Sequence, residues 1–537
     1  MTRLAWPNAP LAEALVNGIP LEHRTYLRDG KILVWEGPVE DVLSPVCVAG
    51  HDGLRPLRLG SHPRLDGAEA LKALDAAVAA YDRGRGLWPT MSVADRIAHV
   101  EAFLAAMRRQ RDRVIRLILF EIGKTLKDST AEFDRTIKYI EDTIAALKEL
   151  DRTASRFVVE QGFIAQIRRA PLGVTLVMGP FNYPLNETFT TLIPALIMGN
   201  PVVFKTPKLG VLLYEPLLEA FRDAFPPGVV NIVSGHGSEI VGPIMESGKV
   251  DVLAFIGSSK VANTLQKQHP RPARLRSILG LDAKNPAIVL ADADLDVAVR
   301  ECVTGALSFN GQRCTAIKLI FVQRAVADAF VAQLSDAIAK LRGGMPWEDG
   351  VALTPLPEPG KPEFLHGYIG DAASHNQPAR VVNPGGGEVD ATWFAPALLY
   401  PVSPEMRIFH EEQFGPVVPV VPFDDVNEPL SHIVASNYGL QASLFGRDPG
   451  AIGALIDVLA NQVGRINVNA QCQRGPDTFP YTGRKDSAEG TLSVTDALRV
   501  FSIRALAATR DERANRDLLS GIVQKRASRF LSTDFIF

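Results

Sequence analysis

Two hydrophobic periodicities divide the chain. Between residues 64 and 150, apolar side chains recur at helical spacing and predict helices, as in LKALDAAVAAYDRGRGLW and VADRIAHVEAFLAAMRRQRDRVIRLILFEIGKTL. RFVVEQGFIAQIRRAPLG, which follows, alternates apolar and polar positions across Gln161-Gly162 and predicts a two-stranded ribbon. From residue 172 the pattern becomes short apolar runs, VTLVMG, PVVFK, VVNIVSG and VLAFIG, separated by segments of helical length. That is the rhythm of βα units around a parallel sheet. A second series starts at NPAIVLADADLDVAVREC and continues through KLIFVQ, PVVPVVPF, ASLFG and GRINVN. The fold class expected is α/β, two consecutive α/β domains with a cleft between them. LRVFSIRAL predicts one further alternating strand, to pair with the ribbon or with a neighbouring subunit. Residues 510–537 form a charged, helix-like tail with an apolar terminus, to pack on the body or a partner.

Composition narrows the class. At 537 residues the chain exceeds one ordinary core. A net charge of -3 without a long basic run leaves no footprint for nucleic acid. Four cysteines, Cys47, Cys302, Cys314 and Cys472, lie far apart without CxxC spacing. That argues against a zinc knuckle or disulfide framework and fits a reducing, cytoplasmic setting. MTRLAWPNAPLAEALVNGIP lacks the unbroken apolar stretch of a secretory signal. TLIPALIMGNPVVF is interrupted by proline and glycine and is too short to span a membrane. A soluble enzyme or binding protein is expected.

Several segments carry candidate chemistry. In GQRCTAIK an arginine beside Cys314 favours the thiolate, the reactive form, whereas a buried structural cysteine is the plainer alternative. GPFNYPL holds Asn182 among Gly179, Pro180 and Pro184, either to donate to an oxyanion or as a structural Asx-turn. FIGSSKVANTL ends a strand and opens a helix at Gly257 and Ser258. Free N–H groups there suit a pyrophosphate, although such a cap needs no ligand. IVSGHGSEIVG contains Gly235, Gly237 and Gly242 but not GxGxxG spacing. VVFKTPK places Lys205 and Lys208 at a strand end, to meet a nucleotide or simply water. Asp292, Asp294 and Asp296 do not make a calcium loop, because Val297 and Val303 occupy the glycine and glutamate positions; a helix N-terminus is expected there. With no HExxH pattern among the histidines either, no metal site is expected.

GPFNYP, VVFK, FIGSS, GQRCTAIK and EEQFGPVVPV together resemble the aldehyde dehydrogenase superfamily, in its order and at its spacings, over about residues 20 to 505. The resemblance implies a cofactor-binding domain at 21–152 and 172–281 and a catalytic domain at 282–490. It also implies an oligomerisation ribbon at 153–171 and 491–505, with 506–537 left as a tail. It implies Cys314 as nucleophile and Asn182, with the Cys314 N–H, as oxyanion donors. Glu412, Phe414 and Lys205 match residues that hold the cofactor, and Gly242, Gly257 and Ser258 lie in its candidate binding segments. NAD-preferring relatives carry a glutamate where Lys208 stands here, so NADP is expected over NAD. Homodimers or homotetramers are the family's habit.

Within the superfamily, FNYP, GQRCTAIK and QRGPDTFPYTGRKDS resemble the non-phosphorylating glyceraldehyde-3-phosphate dehydrogenases most. That implies a phosphorylated aldehyde, with Arg135, Tyr183, Arg313 and Arg474 around its phosphate and Thr315 beside the nucleophile. Unpaired arginines converging on a cleft would repel one another without an anionic substrate. One departure stands out: GLDAK replaces the family's ELGGK, so Gly280 stands where a glutamate activates water. Asp282 and Glu412 are the nearest replacements in sequence. The resemblance implies oxidation of the phosphorylated aldehyde to its acid with NADP through a thioester on Cys314. Without a base the thioester would hydrolyse slowly, pass to coenzyme A or phosphate, or persist. A catalytically weak homologue kept for binding is the remaining alternative.

Overall fold

A computed structural model describes residues 4–16, 21–51 and 53–534. The helical periodicity of 64–150 resolves into Gly67–Tyr81, Val93–Arg109, Arg111–Ile122 and Leu126–Ala154. Asp66, Ser92 and Thr125 cap three of these through their side-chain oxygens. The long second stretch breaks at Gln110, whose ψ of 5° leaves the helical range. No proline or glycine marks that break. Gly123, with φ +74°, ends the following helix in the left-handed region that glycine adopts without strain.

The βα rhythm builds two sheets. The first runs in the order Ala488–Glu489, Arg276–Gly280, Val252–Ile256, Thr175–Met178, Val202–Lys205, Val230–Val233, Thr25–Arg28, Lys31–Val34. Its five inner strands are parallel, and all but the outer Arg276–Gly280 are almost wholly buried apolar runs, as expected for a sheet covered on both faces. Thr175–Met178 lies in the middle, so chain order reverses between it and Val252–Ile256. Such a switch point opens a crevice at the carboxyl ends of the strands. In the second sheet Pro286–Val289 lies between Leu319–Gln323 and Gln441–Phe445 and parallel to both. Arg276–Gly280 leads through residues 281–285 into Pro286–Val289, so the carboxyl ends of the first sheet meet the amino ends of the second.

Helix Asn186–Ile197 is buried along its whole length, and Glu187 is its only charged residue. Its first turn is capped by Glu132, whose Oε1 accepts from the N–H groups of Leu185 and Asn186 at 3.0 and 3.1 Å. Lys124 neutralises that buried carboxylate.

The ribbon forms as expected, Phe157–Glu160 against Phe163–Pro171, with Gln161 and Gly162 at φ +48° and +76° in the turn. The last strand differs from its expected limits. Leu498–Val500 belong to helix Val494–Val500, and Ser502–Arg510 is the strand, paired with Phe163–Pro171 of the same chain. The tail helix Arg513–Gln524 buries no residue. After it the chain returns to the ribbon, where Gln166 Nε2 donates to the Ser532 carbonyl at 2.6 Å. The apolar terminus at 535–537 lies outside the described residues. Asp294 caps helix Leu295–Leu307, as the acidic run predicted. Among the described residues, no three His, Cys, Asp or Glu side chains gather to hold a metal, and no helix is long and apolar enough to cross a membrane.

Candidate active site

The turn after Thr175–Met178 sits at the switch point. A Cβ on Gly179 would lie 1.7 Å from Thr188 Oγ1, so glycine lets the turn lie directly against the buried helix. Asn182, 4 % exposed, then donates through Nδ2 to the Gln312 carbonyl at 2.8 Å. This single bond ties the first sheet to the cysteine loop.

That loop is held by its backbone. Phe309, Asn310 and Gly311 all have positive φ, an arrangement that persists only when packing enforces it. The Cys314 carbonyl accepts from Asn285 Nδ2 at 2.7 Å and Lys318 Nζ at 3.0 Å. The Cys314 N–H has no acceptor among the described residues. The thiol is half-buried, with Sγ 3.0 Å from the Tyr481 hydroxyl.

The expectation that Arg313 activates this thiol is corrected. Its guanidinium turns away and donates to the carbonyls of Thr304 and Gly305. Burial pushes the Cys314 thiol up, the Glu187 carboxylate adds to this, and Tyr481, Lys318 and Arg474 oppose it. Alkylation of the ligand-free protein by iodoacetamide should therefore be slow at neutral pH. It should quicken towards alkaline pH, with a midpoint above the ordinary thiol value. A midpoint below that value, read by mass spectrometry of the Cys314 peptide, would contradict this.

Two of the remaining substrate candidates, Arg135 and Arg474, meet at Asp477. Arg135 donates to both oxygens of Asp477 at 2.8 and 2.7 Å. Arg474, fully packed, pairs with Glu187 and with Asp477 and lies over the Tyr481 ring at 4.2 Å. Burial pushes the Tyr183 hydroxyl up while Arg313 and Arg135 pull it down, which puts all three within electrostatic reach. Lys124 stands 3.4 Å over the Tyr183 ring. Thr315 is buried directly after the cysteine. Arg135 and Arg474 are thus not unpaired, contrary to the expectation of uncompensated guanidinium groups. They face the carboxylates of Asp477 and Glu187, while Arg313 has no ion-pair partner among the described residues.

Of the cofactor candidates, Lys205, Gly257 and Ser258 lie at the carboxyl ends of strands of the first sheet. Gly257 follows strand Val252–Ile256, and a Cβ there would strike the Phe255 ring at 2.3 Å. Ser258 caps helix Ser259–Gln268. Lys205 ends its strand almost wholly buried, and burial pushes it down to about 8 against the pull of Glu40. Lys208 is exposed and has no ion-pair partner among the described residues. Gly242 lies in helix Gly237–Glu246, where a Cβ would meet only Gln268 at 3.6 Å, so sterics do not require glycine. Glu412 is fixed by Lys318 and by the Ala283 N–H at 3.1 Å. Phe414, at φ +44°, packs edge-on against Phe181. These features fit a dinucleotide: a switch-point crevice, a helix N-terminus with a close-packed glycine, and two lysines at one edge.

A small cavity beside Cys314 is lined by Gly280, Glu187, Tyr481 and Leu492. Neither base candidate from the sequence lines it. Asp282 accepts from the N–H and hydroxyl of Ser259 at 2.8 and 2.7 Å, and Glu412 is committed to Lys318. Glu187 and Tyr481 escaped sequence reasoning. The available signal was a lone glutamate in the otherwise uncharged stretch PLNETFTTLIPALI.

Residues 57–504 match the model of the aldehyde dehydrogenase family. An NADP-dependent glyceraldehyde-3-phosphate dehydrogenase of Nicotiana plumbaginifolia is 34 % identical over 410 residues, 74 % of this chain and 79 % of the relative. One from Streptococcus equinus is 33 % identical over 83 % of this chain and 91 % of its own length. The crystal structure of NADP-dependent glyceraldehyde-3-phosphate dehydrogenase from Bacillus halodurans C-125, complexed with NADP, superposes with a TM-score of 0.83. It is 31 % identical, covering 91 % of this chain and all of that one.

Proposed function

The chain belongs to the aldehyde dehydrogenase family, and from that premise we propose that it oxidises glyceraldehyde 3-phosphate, or a similar phosphorylated aldehyde, to the acid with NADP. The observation that carries this reading is Cys314 at the junction of the two sheets, with its own N–H free of acceptors among the described residues and the Asn182 amide bonded to the Gln312 carbonyl of its loop.

The Cys314 thiolate adds to the aldehyde carbon. The Asn182 amide and the Cys314 N–H hold the oxyanion that forms. The Tyr481 hydroxyl, 3.0 Å from the sulfur, is placed to donate to the thiolate. Bound NADP supplies the acceptor for the hydride that leaves the thiohemiacetal carbon. Cys314 then carries the acyl group as a thioester. Lys205, Gly257, Ser258, Glu412 and Phe414 would hold the cofactor, and exposed Lys208 would meet its 2′-phosphate. Arg135, Arg474, Tyr183 and Arg313, the last without an ion-pair partner among the described residues, favour an anionic substrate end. NADP is also named for the relatives, and it is bound in the Bacillus structure.

The exposed apolar residues Val159, Ile503 and Leu506 of the ribbon suit pairing with another copy, as a homodimer or homotetramer. Gly280 favours a second reading, in which the thioester passes to coenzyme A. With NADP and glyceraldehyde 3-phosphate, steady NADPH formation is expected without added phosphate or coenzyme A. Turnover only on adding coenzyme A would establish the second reading instead. Lys208→Glu is expected to shift kcat/KM towards NAD by tenfold or more, and an unchanged preference would remove Lys208 from the cofactor site.

A further inference from the structure

We propose that Glu187 is the base that activates water to release the acyl group from Cys314, in the place left by Gly280. This rests on the thioester chemistry proposed above.

The two residues line one cavity with the nucleophile. A Cβ at Gly280 would make only ordinary contacts, 3.5 Å from Ile256 and 3.7 Å from Leu492, so the missing side chain leaves room beside the thiol. The other carboxylates near the loop are occupied by Ser259 and Lys318 and do not line the cavity. Glu187 is held differently at its two oxygens. Arg474 anchors Oε2, while Oε1 has only a contact to Asn186 Nδ2 at 3.5 Å, the limit of a hydrogen bond. The rigid, buried helix sets its position, and one oxygen stays available to accept a proton.

The step balances. Water loses a proton to Glu187 Oε1 as its oxygen bonds to the thioester carbon. The tetrahedral adduct expels Cys314 as thiolate, the C–S bond breaks, and the acid leaves. Glu187 then returns its proton to solvent. A carboxylate near the sulfur opposes thiolate formation. The same carboxylate is therefore a hindrance in the addition step and an aid in release.

The test is rapid-mix kinetics of NADPH formation with glyceraldehyde 3-phosphate and NADP, without coenzyme A. Glu187→Gln should retain a burst of about one NADPH per subunit, because the base acts after hydride loss, while its steady rate falls about 10²-fold or more. Hydroxylamine, which attacks thioesters without a base, should restore turnover. Adding Gly280→Glu to Glu187→Gln should also recover much of the steady rate, by returning a carboxylate to the cavity. Glu187→Asp keeps the charge against Arg474 and guards against a folding defect; it should retain the burst and lose less of the steady rate. A steady rate in Glu187→Gln equal to the parent's would overturn the assignment. Burst and turnover falling together in both variants, unrescued by hydroxylamine, would do so as well, by marking a structural role. A parent protein with neither burst nor turnover overturns both this assignment and the oxidation it rests on.

Discussion

Replacing Cys314 by alanine is expected to abolish NADPH formation, lowering kcat by at least about 10⁴-fold, the scale of losing a covalent nucleophile. No other cysteine can stand in. Cys47, Cys302 and Cys472 are buried, and Cys302 and Cys472 pack in the core of the second sheet. Among the described residues the Cys314 side chain makes one polar contact, to Tyr481, so its loss leaves the loop's anchors at Asn285 and Lys318 in place. NADP binding, followed by fluorescence, should be unchanged. Residual turnover within tenfold of the parent would exclude the covalent route.

The second large effect belongs to Asn182. Alanine there should cost about 10²–10³ in kcat with little change in KM, since an oxyanion donor acts only once charge develops. The residue also donates to the Gln312 carbonyl, so the substitution frees one anchor of the cysteine loop. Asn182→Asp separates the two roles: it keeps the volume but turns a donor into a negative charge. It should be at least as damaging as alanine. If alanine raised KM and spared kcat, Asn182 would be a binding residue and not an oxyanion donor.

The backbone was largely legible in the sequence because βα units announce themselves locally. Short β-branched runs such as PVVFK and VLAFIG became the inner parallel strands, and the Gln161-Gly162 turn set the ribbon. Less legible was whatever depends on partners distant in sequence. The helix break at Gln110 carries no local signal, and the last strand starts later because Val494–Val500 packs as a helix. The cysteine's environment was misread for the same reason. Adjacency in GQRCTAIK suggested that Arg313 tunes the thiol, yet successive side chains diverge in a turn, and the groups facing Cys314 come from Glu187, Lys318, Arg474 and Tyr481. Likewise, the arginines were visible one by one, but not the carboxylates of Asp477 and Glu187 that pair with them.

The covalent step can be caught directly. Enzyme mixed with NADP and glyceraldehyde 3-phosphate, quenched in acid during the steady state and digested, should yield the Cys314 peptide heavier by the 3-phosphoglyceroyl group. Its fraction should grow in Glu187→Gln. An unmodified Cys314 peptide alongside continuing NADPH formation, or the acyl group on another residue, would contradict a thioester at this sulfur.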